Sequence, residues 1–205
     1  MKRLLWAGAG ILLLGAIVWL VYTYRADLGL SGHAGGQQAS SAAWRAVDRS
    51  ADGFKVDMPA GVTQTEIPAF NERGALEPVR VIQASIDPET TYAVAWAETP
   101  PVERAGIGDG PDRTLDYARD GALKRTGTTL IDESRNERYG NPSRDFSARN
   151  SDGGILNARL ILAGARLYML VATFPNPGAR RNDDLNRFFS SFNLTAAVRP
   201  SPRTE

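Results

Sequence analysis

Residues 158–171 read Ala158-Arg-Leu-Ile-Leu-Ala-Gly-Ala-Arg-Leu-Tyr-Met-Leu-Val171, two apolar runs joined at a glycine. Short apolar runs separated by a turn residue are typical of buried β-strands. The segment therefore predicts an antiparallel hairpin that turns at Ala163-Gly164, where glycine supplies the positive φ of a tight turn. The apolar side chains expected to line a buried face are Leu160, Leu162, Leu170 and Phe174.

Further strands are predicted on both sides of this hairpin, because short apolar alternations continue along the chain between turn residues. With the hairpin included, the predicted strands are 44–48, 54–58, 79–87, 91–97, 129–138, 143–149, 155–163 and 167–174. We expect the last three to form an antiparallel meander.

Two helices are predicted between and after these strands. The first starts at Pro111, a residue suited to the first helical turn, and stops at Gly127. The second takes Asn182 as its N-cap and turns its phenylalanines, Phe188 among them, toward the core. Strands flanked by helices predict the fold class α+β, with a mainly antiparallel sheet sandwiched by helices. We place this soluble α/β/α sandwich domain at residues 44–194.

The composition excludes several kinds of site within the domain. The chain of 205 residues has no cysteine, which rules out disulfides, thiolate metal sites and a cysteine nucleophile. Its one histidine, His33, precedes the domain, so no histidine-dependent triad or metal site is expected there. Residues 44–194 carry 19 Lys and Arg against 21 Asp and Glu, a net charge of −2 with the signs interleaved. Because nucleic-acid binding needs a basic stripe, we expect no nucleic-acid partner.

A membrane anchor is predicted near the start of the chain. Residues 4–24 contain no charge, and a helix of this length spans roughly 31 Å at about 1.5 Å per residue, which matches a bilayer core. A cleaved signal peptide is the alternative, but its apolar region is shorter, and no small-residue cleavage site follows Tyr24 directly. Lys2 and Arg3 precede the run, so the N-terminus is expected in the cytoplasm and the domain in the periplasm or outside the cell. The protein would then be single-pass in the inner (cytoplasmic) membrane, with the lipid bilayer as a partner.

The anchor carries small residues on one helix face. Gly8 and Gly15 are seven residues apart, a spacing that places both on the same side of a helix. Small side chains let another transmembrane helix approach closely, so we predict both glycines as contacts to other membrane protein subunits. The stub and anchor take up residues 1–24, residues 25–43 form a flexible linker, and residues 195–205 form a disordered tail.

The longest irregular stretch of the domain ends at residue 110, just before the first predicted helix. Its glycines do not have the G-x-G-x-x-G spacing of a phosphate cradle, and Asp109 would repel phosphate. Such loops carry binding function more often than packed strands do, so we predict Val102 and Ile107 as partner contacts. Tyr139, at the edge of a later loop, is also predicted to contact a partner.

No catalytic constellation is expected. Neighbouring carboxylates such as Asp132 and Glu133 point to opposite faces of a strand, and we expect Glu133 to lie with Arg135 in an exposed, salt-bridged stripe. Serines 190 and 191 have no histidine in the domain to activate them. We therefore predict a protein that is not an enzyme and that holds no cofactor and no metal.

Four stretches of the domain together resemble the PsbP/Mog1-like group of compact α/β/α sandwiches. They are Trp44…Gly53-Phe-Lys-Val-Asp-Met-Pro59, the middle helix running into Gly127, the hairpin at 158–171 and the closing Phe188-Phe-Ser-Ser-Phe-Asn-Leu194. The resemblance implies a non-enzymatic role, since well-known members of the group bind or help assemble larger protein complexes. Because the shared residues are mainly core and turn residues, no functional residue is transferred to this chain.

The function expected from these observations is a membrane-tethered, non-catalytic protein-interaction module, an accessory or assembly subunit of a membrane protein complex. The alternative is an extracytoplasmic domain that binds or senses a small ligand in a pocket lined by aromatic residues such as Tyr92, Trp96 and Tyr168. Packing in the core is the ordinary role of such residues.

Overall fold

A computed structural model of the chain describes residues 43–68, 78–98 and 110–195. Ten strands run through this part of the chain. They are β1 (Trp44–Arg49), β2 (Phe54–Pro59), β3 (Thr63–Ile67), β4 (Val79–Asp87), β5 (Thr90–Glu98), β6 (Thr129–Arg138), β7 (Asn141–Arg149), β8 (Ile155–Ala163), β9 (Arg166–Phe174) and β10 (Asn193–Leu194). The described helices are α1 (Gly110–Thr126), α2 (Asn182–Ser191) and two single 3-10 turns, Ser50–Asp52 and Pro177–Ala179.

Seven of the strands form one sheet in the order β3-β4-β5-β9-β8-β7-β6, and the other three form a small sheet in the order β1-β2-β10. Every pair among these strands is antiparallel. The hairpin predicted at 158–171 is the pair β8 and β9, and Gly164 has a φ of 62° in its turn. The eight predicted strands are confirmed to within two residues at each end, whereas β3 and β10 are not among the predictions.

The predicted fold class, an α+β sheet sandwiched by helices, is wrong, because the domain is a β-rich sandwich. Strands make up 56% of the described residues and helices of all kinds 25%. Helix α1 covers one face of the large sheet, while the small sheet and α2 together cover the other face. Two α-helices of 17 and 10 residues are too short to cover both faces of seven strands, so β2 supplies much of the second cover.

The large sheet is buried on both faces, which divides the predicted core residues between them. Leu160 and Leu162 of β8 pack with Leu115 on the α1 face. Leu170 and Phe174 of β9 lie on the opposite face, in the cluster that contains the small sheet and α2. All four predicted residues are buried, but they do not share one face, because successive side chains of a strand alternate and this sheet is covered on both sides.

Aromatic rings fill the face of the large sheet that lies under the small sheet. Phe54 meets Trp96 edge-on with 5.1 Å between ring centroids, and it meets Tyr168 in the same way at 5.7 Å. Tyr92 packs edge-on against Phe188 at 5.3 Å, and burial raises the pKa of its phenol. Since Tyr92, Trp96 and Tyr168 are at most 2% exposed, they pack in the core and do not surround an opening.

The start of α2 differs from the predicted cap. Arg181 is the N-cap residue, and it makes no side-chain hydrogen bond to the helix. Asn182 is the first helical residue, and its Oδ1 accepts a hydrogen bond of 2.9 Å from Nε of Arg180. The amide of Asn182 therefore orients an arginine instead of capping the helix.

Within residues 43–68, 78–98 and 110–195, no helix has both the length and the apolar character needed to cross a membrane. The predicted anchor at 4–24 lies outside this part of the chain. The predicted linker at 25–43 and tail at 195–205 also lie outside it, except for residues 43 and 195. The fold described is therefore that of the domain alone.

Candidate functional site

Most of the predicted site residues lie outside the described residues. They are Gly8, Gly15, Val102 and Ile107. Tyr139 is described, and it lies with Gly140 in the two-residue turn that joins β6 to β7, where Arg138 pairs with Asn141. Its place at a loop edge is as predicted.

Tyr139 is held at one end and open at the other. Its backbone has a φ of 55°, and that of Gly140 is 72°, values that suit the twist of a tight hairpin. The hydroxyl donates a hydrogen bond to the backbone carbonyl of Phe192, just beyond α2, while 51% of the residue remains exposed. The turn thus ties β6 and β7 to α2, and a partner contact through the exposed ring stays a prediction.

The two edges of the large sheet differ in length. Strand β3 forms one edge with 5 residues, and β6 forms the other with 10. The outer side of β6 pairs with no other described strand, and nearly all of its residues are exposed. A long edge leaves backbone N–H and C=O groups free to pair with another strand. The β6 edge is therefore the larger open surface of the described sheet.

A bulge interrupts β6 near its start. Leu130 pairs with Ala148 and Asp132 pairs with Ser147, so Ile131 is an extra residue with no partner on β7. Leu130 is 37% exposed and Ile131 is 53% exposed. A bulge bends the edge strand and redirects a side chain, and here it turns Ile131 toward a groove.

The groove has a volume of about 320 Å³ and is open to solvent. It lies where the bulged end of the sheet meets the segment that leads into α2. The lining side chains combine apolar groups with hydrogen-bond donors, and they come from Ile131, Ser147, Arg149, Ile155, Pro177, Arg180 and Asn182. We call this surface, together with the outer side of β6, the β6 edge site.

The groove contains two arginines and no carboxylate among its lining residues. Arg149 and Arg180 are both exposed, and neither forms an ion pair with a residue that the structure describes. Asn182 accepts from Nε of Arg180, which leaves the other guanidinium nitrogens of that residue free to donate. Asp132 lies opposite Ser147 on the same sheet face and is the nearest acidic residue by register. The groove is therefore suited to bind an anionic group beside an apolar one.

The opposite face of the same two strands carries charges that are already paired. Arg144 of β7 has a fully buried side chain and lies 2.9 Å from Asp112 of α1, with Asp116 at its other terminal nitrogen. Its Nε is 3.0 Å from Oε1 of Glu133, although the N–H is not aligned for a hydrogen bond. This cluster, which we call the Arg144 cluster, joins α1 to β6 and β7.

Arg119 completes the Arg144 cluster from the helix side. Its Nη1 donates to both carboxylate oxygens of Glu133, at 2.8 and 2.6 Å, and its Nε donates to Asp120. Burial favours the neutral form, but the hydrogen bonds to Glu133 and Asp120 outweigh it and raise the pKa of Arg119. Arg135 lies on the same face as Glu133 and is exposed, as expected, with its Nη1 3.7 Å from Oδ2 of Asp112. The expectation that Glu133 itself is exposed is wrong, because Arg119 and Arg144 bind it against α1.

The described residues hold no cluster of three or more His, Cys, Asp or Glu side chains arranged to bind a metal ion. Asp132 and Glu133 face opposite sides of β6, as predicted for sequence neighbours on a strand. Ser191 is engaged within the fold, since its hydroxyl accepts from the N–H of Asp57 at 2.8 Å and donates to the carbonyl of Phe188. The β6 edge site, in contrast, has exposed side chains that are free for contact.

Comparison with known proteins leaves the family open. No family model matches the chain, and no curated protein matches it. Among solved structures, the chain is similar to cyanobacterial PsbP (CyanoP) from Synechocystis sp. PCC 6803, with 18% identity and a TM-score of 0.49 over 81% of this chain and 99% of that one. It is also similar to PA94, a protein of unknown function from Pseudomonas aeruginosa, with 10% identity and a TM-score of 0.36 over 79% of this chain and 99% of that one. With identities of 18% and 10% and TM-scores of 0.49 and 0.36, neither likeness assigns a role to this chain.

Proposed function

We propose that the domain is a non-catalytic protein-interaction module, and that it serves as an accessory or assembly subunit of a membrane protein complex. The observation that carries this proposal is the outer side of β6, which pairs with no other described strand. There the exposed Ile131 adjoins a groove with two arginines that have no carboxylate partner among the described residues. Such an edge offers backbone hydrogen bonds to an added strand, and the groove offers pockets for its side chains.

The distribution of charge supports contact as the role of this surface. In the Arg144 cluster, arginines bind the carboxylates of Asp112, Asp116 and Glu133. These ion pairs hold α1 against β6 and β7. The aromatic rings that would line a ligand pocket are packed in the core instead. What remains exposed on the β6 edge site is able to form hydrogen bonds, ion pairs and apolar contacts, which are the interactions of a protein interface.

The membrane part of the proposal rests on the sequence. The uncharged run at 4–24, with Lys2 and Arg3 before it, supports a single-pass anchor with the domain outside the cytoplasm. A reporter fused after Glu205 should be active only outside the cytoplasm, and deletion of residues 4–24 should release the chain from membranes into the soluble fraction. Reporter activity in the cytoplasm, or a deleted chain that stays with membranes, would contradict the anchor.

The interaction itself is tested by crosslinking in the native host. A photoreactive amino acid replaces Ile131 in the full-length chain, and the control replaces Val62, an exposed apolar residue directly before β3 at the opposite edge. We expect a discrete crosslinked protein, identified by mass spectrometry, from position 131 and much less from position 62. No crosslink at position 131, or equal crosslinking at both positions, would sink the proposal.

A further inference from the structure

We infer that the β6 edge site binds an extended acidic segment of a partner protein, which lies along β6 and places carboxylates at Arg149 and Arg180. This inference rests on the proposed function, because it names the partner chemistry of the same site.

The backbone of β6 favours a strand as the occupant. Its 10 residues have one side that pairs with no other described strand, so the N–H and C=O groups on that side can pair with an added strand. An added strand would place alternate side chains on one face, about 6.6 Å apart. The groove opens on the face of the sheet that carries Ser147 and Arg149, next to the bulge at Ile131, so it can receive side chains from that face of the added strand.

The lining of the groove favours carboxylates. Guanidinium groups bind carboxylates through paired N–H donors, and Arg149 and Arg180 have no carboxylate partner within the described residues. Ser147 and Asn182 add polar groups at the same opening. Ile131, the groove residue on β6 itself, provides apolar contact for a side chain that lies between two acidic ones. A segment that alternates acidic and apolar residues with small polar ones has the matching pattern.

Acidic groups near the groove restrict where the partner carboxylates sit. Asp132 shares the sheet face with Ser147, and Asp183 and Asp184 lie in the first turn of α2. Asp184 is 3.9 Å from Arg181, which offsets part of its charge. A carboxylate placed between the two groove arginines avoids these groups, whereas one displaced along β6 toward Asp132 is repelled. The charge pattern therefore sets the register of the added segment.

An anionic lipid is the other ligand with a negative group beside an apolar one. Its acyl chains need a long, enclosed apolar channel, but this groove is open and its apolar lining consists of Ile131, Ile155 and Pro177. A lipid also lacks the regular series of N–H and C=O groups with which an added strand pairs along β6. These two observations favour a protein segment.

The first test uses the full-length protein in mild detergent and a fluorescent nine-residue peptide. The peptide has glutamate, valine and glutamate on one strand face and threonine elsewhere, and its control has glutamine in place of glutamate. By fluorescence anisotropy we expect the acidic peptide to bind at least about tenfold more tightly than the control, because only it forms charge-assisted hydrogen bonds with arginine. Equal affinities, or no binding of the acidic peptide, would overturn the inference.

Matched charge variants locate the binding. The variant Arg149→Glu/Arg180→Glu should lower the affinity for the acidic peptide by at least about tenfold. The control Arg45→Glu/Arg113→Glu changes the net charge equally at two other exposed arginines and should lie within about twofold of the parent. Both variants are checked for unchanged thermal unfolding. An equal loss in both variants would show a general charge effect and would overturn the inference.

Two further outcomes separate the inference from the proposed function. Binding to vesicles of phosphatidylglycerol, lost in Arg149→Glu/Arg180→Glu and accompanied by no peptide binding, would assign the groove to lipid and overturn the inference. A crosslink from position 131 that persists in Arg149→Glu/Arg180→Glu would also overturn it, while the proposed interaction would stand. Loss of that crosslink in the variant, but not in Arg45→Glu/Arg113→Glu, supports both.

Discussion

Two arginines of the β6–β7 hairpin lie in opposite surroundings. Arg144 and Arg149 lie five residues apart on β7 and point to opposite faces. On the α1 face, Arg144 is fully buried among the carboxylates of Asp112, Asp116 and Glu133. On the other face, Arg149 lines an open groove and has no carboxylate partner among the described residues. Arg144 therefore joins α1 to the sheet, while Arg149 is exposed and joins no elements that the structure describes.

The largest expected effect is on the buried side of this comparison. Arg144→Ala removes the buried guanidinium among Asp112, Asp116 and Glu133, so we expect the free energy of unfolding to fall by about 3 kcal/mol. This is the lower end for breaking a buried pair, because Asp112 and Asp116 stay partly exposed to water. Arg119 still binds Glu133 in this variant. Guanidinium unfolding followed by circular dichroism measures the change.

Arg149→Ala is the matched control, made on the same strand. It should change the free energy of unfolding by no more than about 0.5 kcal/mol, because an exposed arginine without a partner contributes little to folding. Equal destabilisation by the two substitutions would remove the distinction between the faces.

A smaller effect is expected at the turn that ends the hairpin. Tyr139→Phe removes the hydroxyl that donates to the carbonyl of Phe192, and we expect a loss of about 1 kcal/mol in the free energy of unfolding. Tyr117→Phe is the control, because Tyr117 is also 51% exposed and lies on α1. If both substitutions are neutral, the hydroxyl of Tyr139 does not hold the hairpin against α2, and the whole side chain is available to a partner.

The smallest effect is expected from the loss of an exposed ion pair. Asp48 lies 2.7 Å from Lys55, and the hydrogen bonds from Lys55 and Ser50 lower the pKa of its carboxyl from 3.8 to about 2. A carboxyl with a lowered pKa stabilises the folded state above pH 3.8, and this contribution is lost as the pH falls through 2. Asp48→Asn should therefore alter the pH dependence of unfolding only in this acid range.

The cause of the lowered pKa is tested separately by substitution of the partner. In Lys55→Met the pKa of Asp48, measured by NMR titration of its carboxyl carbon, should rise toward 3.8. An unchanged pKa in that variant would show that Lys55 does not hold the carboxylate.

Much of the strand order along the chain could be predicted, because alternation and turn residues are local signals. The β8–β9 hairpin follows from two apolar runs and Gly164, and both strands are where the sequence places them. Strand β3 is not predicted because its sequence, TQTEI, contains one apolar residue, Ile67, and so shows no apolar alternation. The sequence also does not predict that β2 covers the second face of the large sheet. Residues of β2 and of the central strands are far apart in the chain, so no local pattern indicates that they pack together.

The burial of Arg144 can be predicted from the sequence of β7. Position 144 is in phase with Phe146 and Ala148, which lie on a buried face, so the alternation marks Arg144 as buried. Its carboxylate partners come from a helix and from β6, and no spacing along the chain predicts that meeting. The groove is still less predictable, because it depends on a bulge at Ile131 and on the path of the segment before α2.

Hydrogen exchange of the backbone amides of β6 tests the central claim most directly. The full-length protein is compared with and without a saturating amount of the acidic peptide, and strand β3 at the opposite edge serves as the internal control. If a partner strand pairs with the open side of β6, exchange at residues 129–138 should slow while exchange at residues 63–67 stays unchanged. Slowed exchange at β3 instead, or equally at both edges, would contradict the assignment of β6 as the interaction surface.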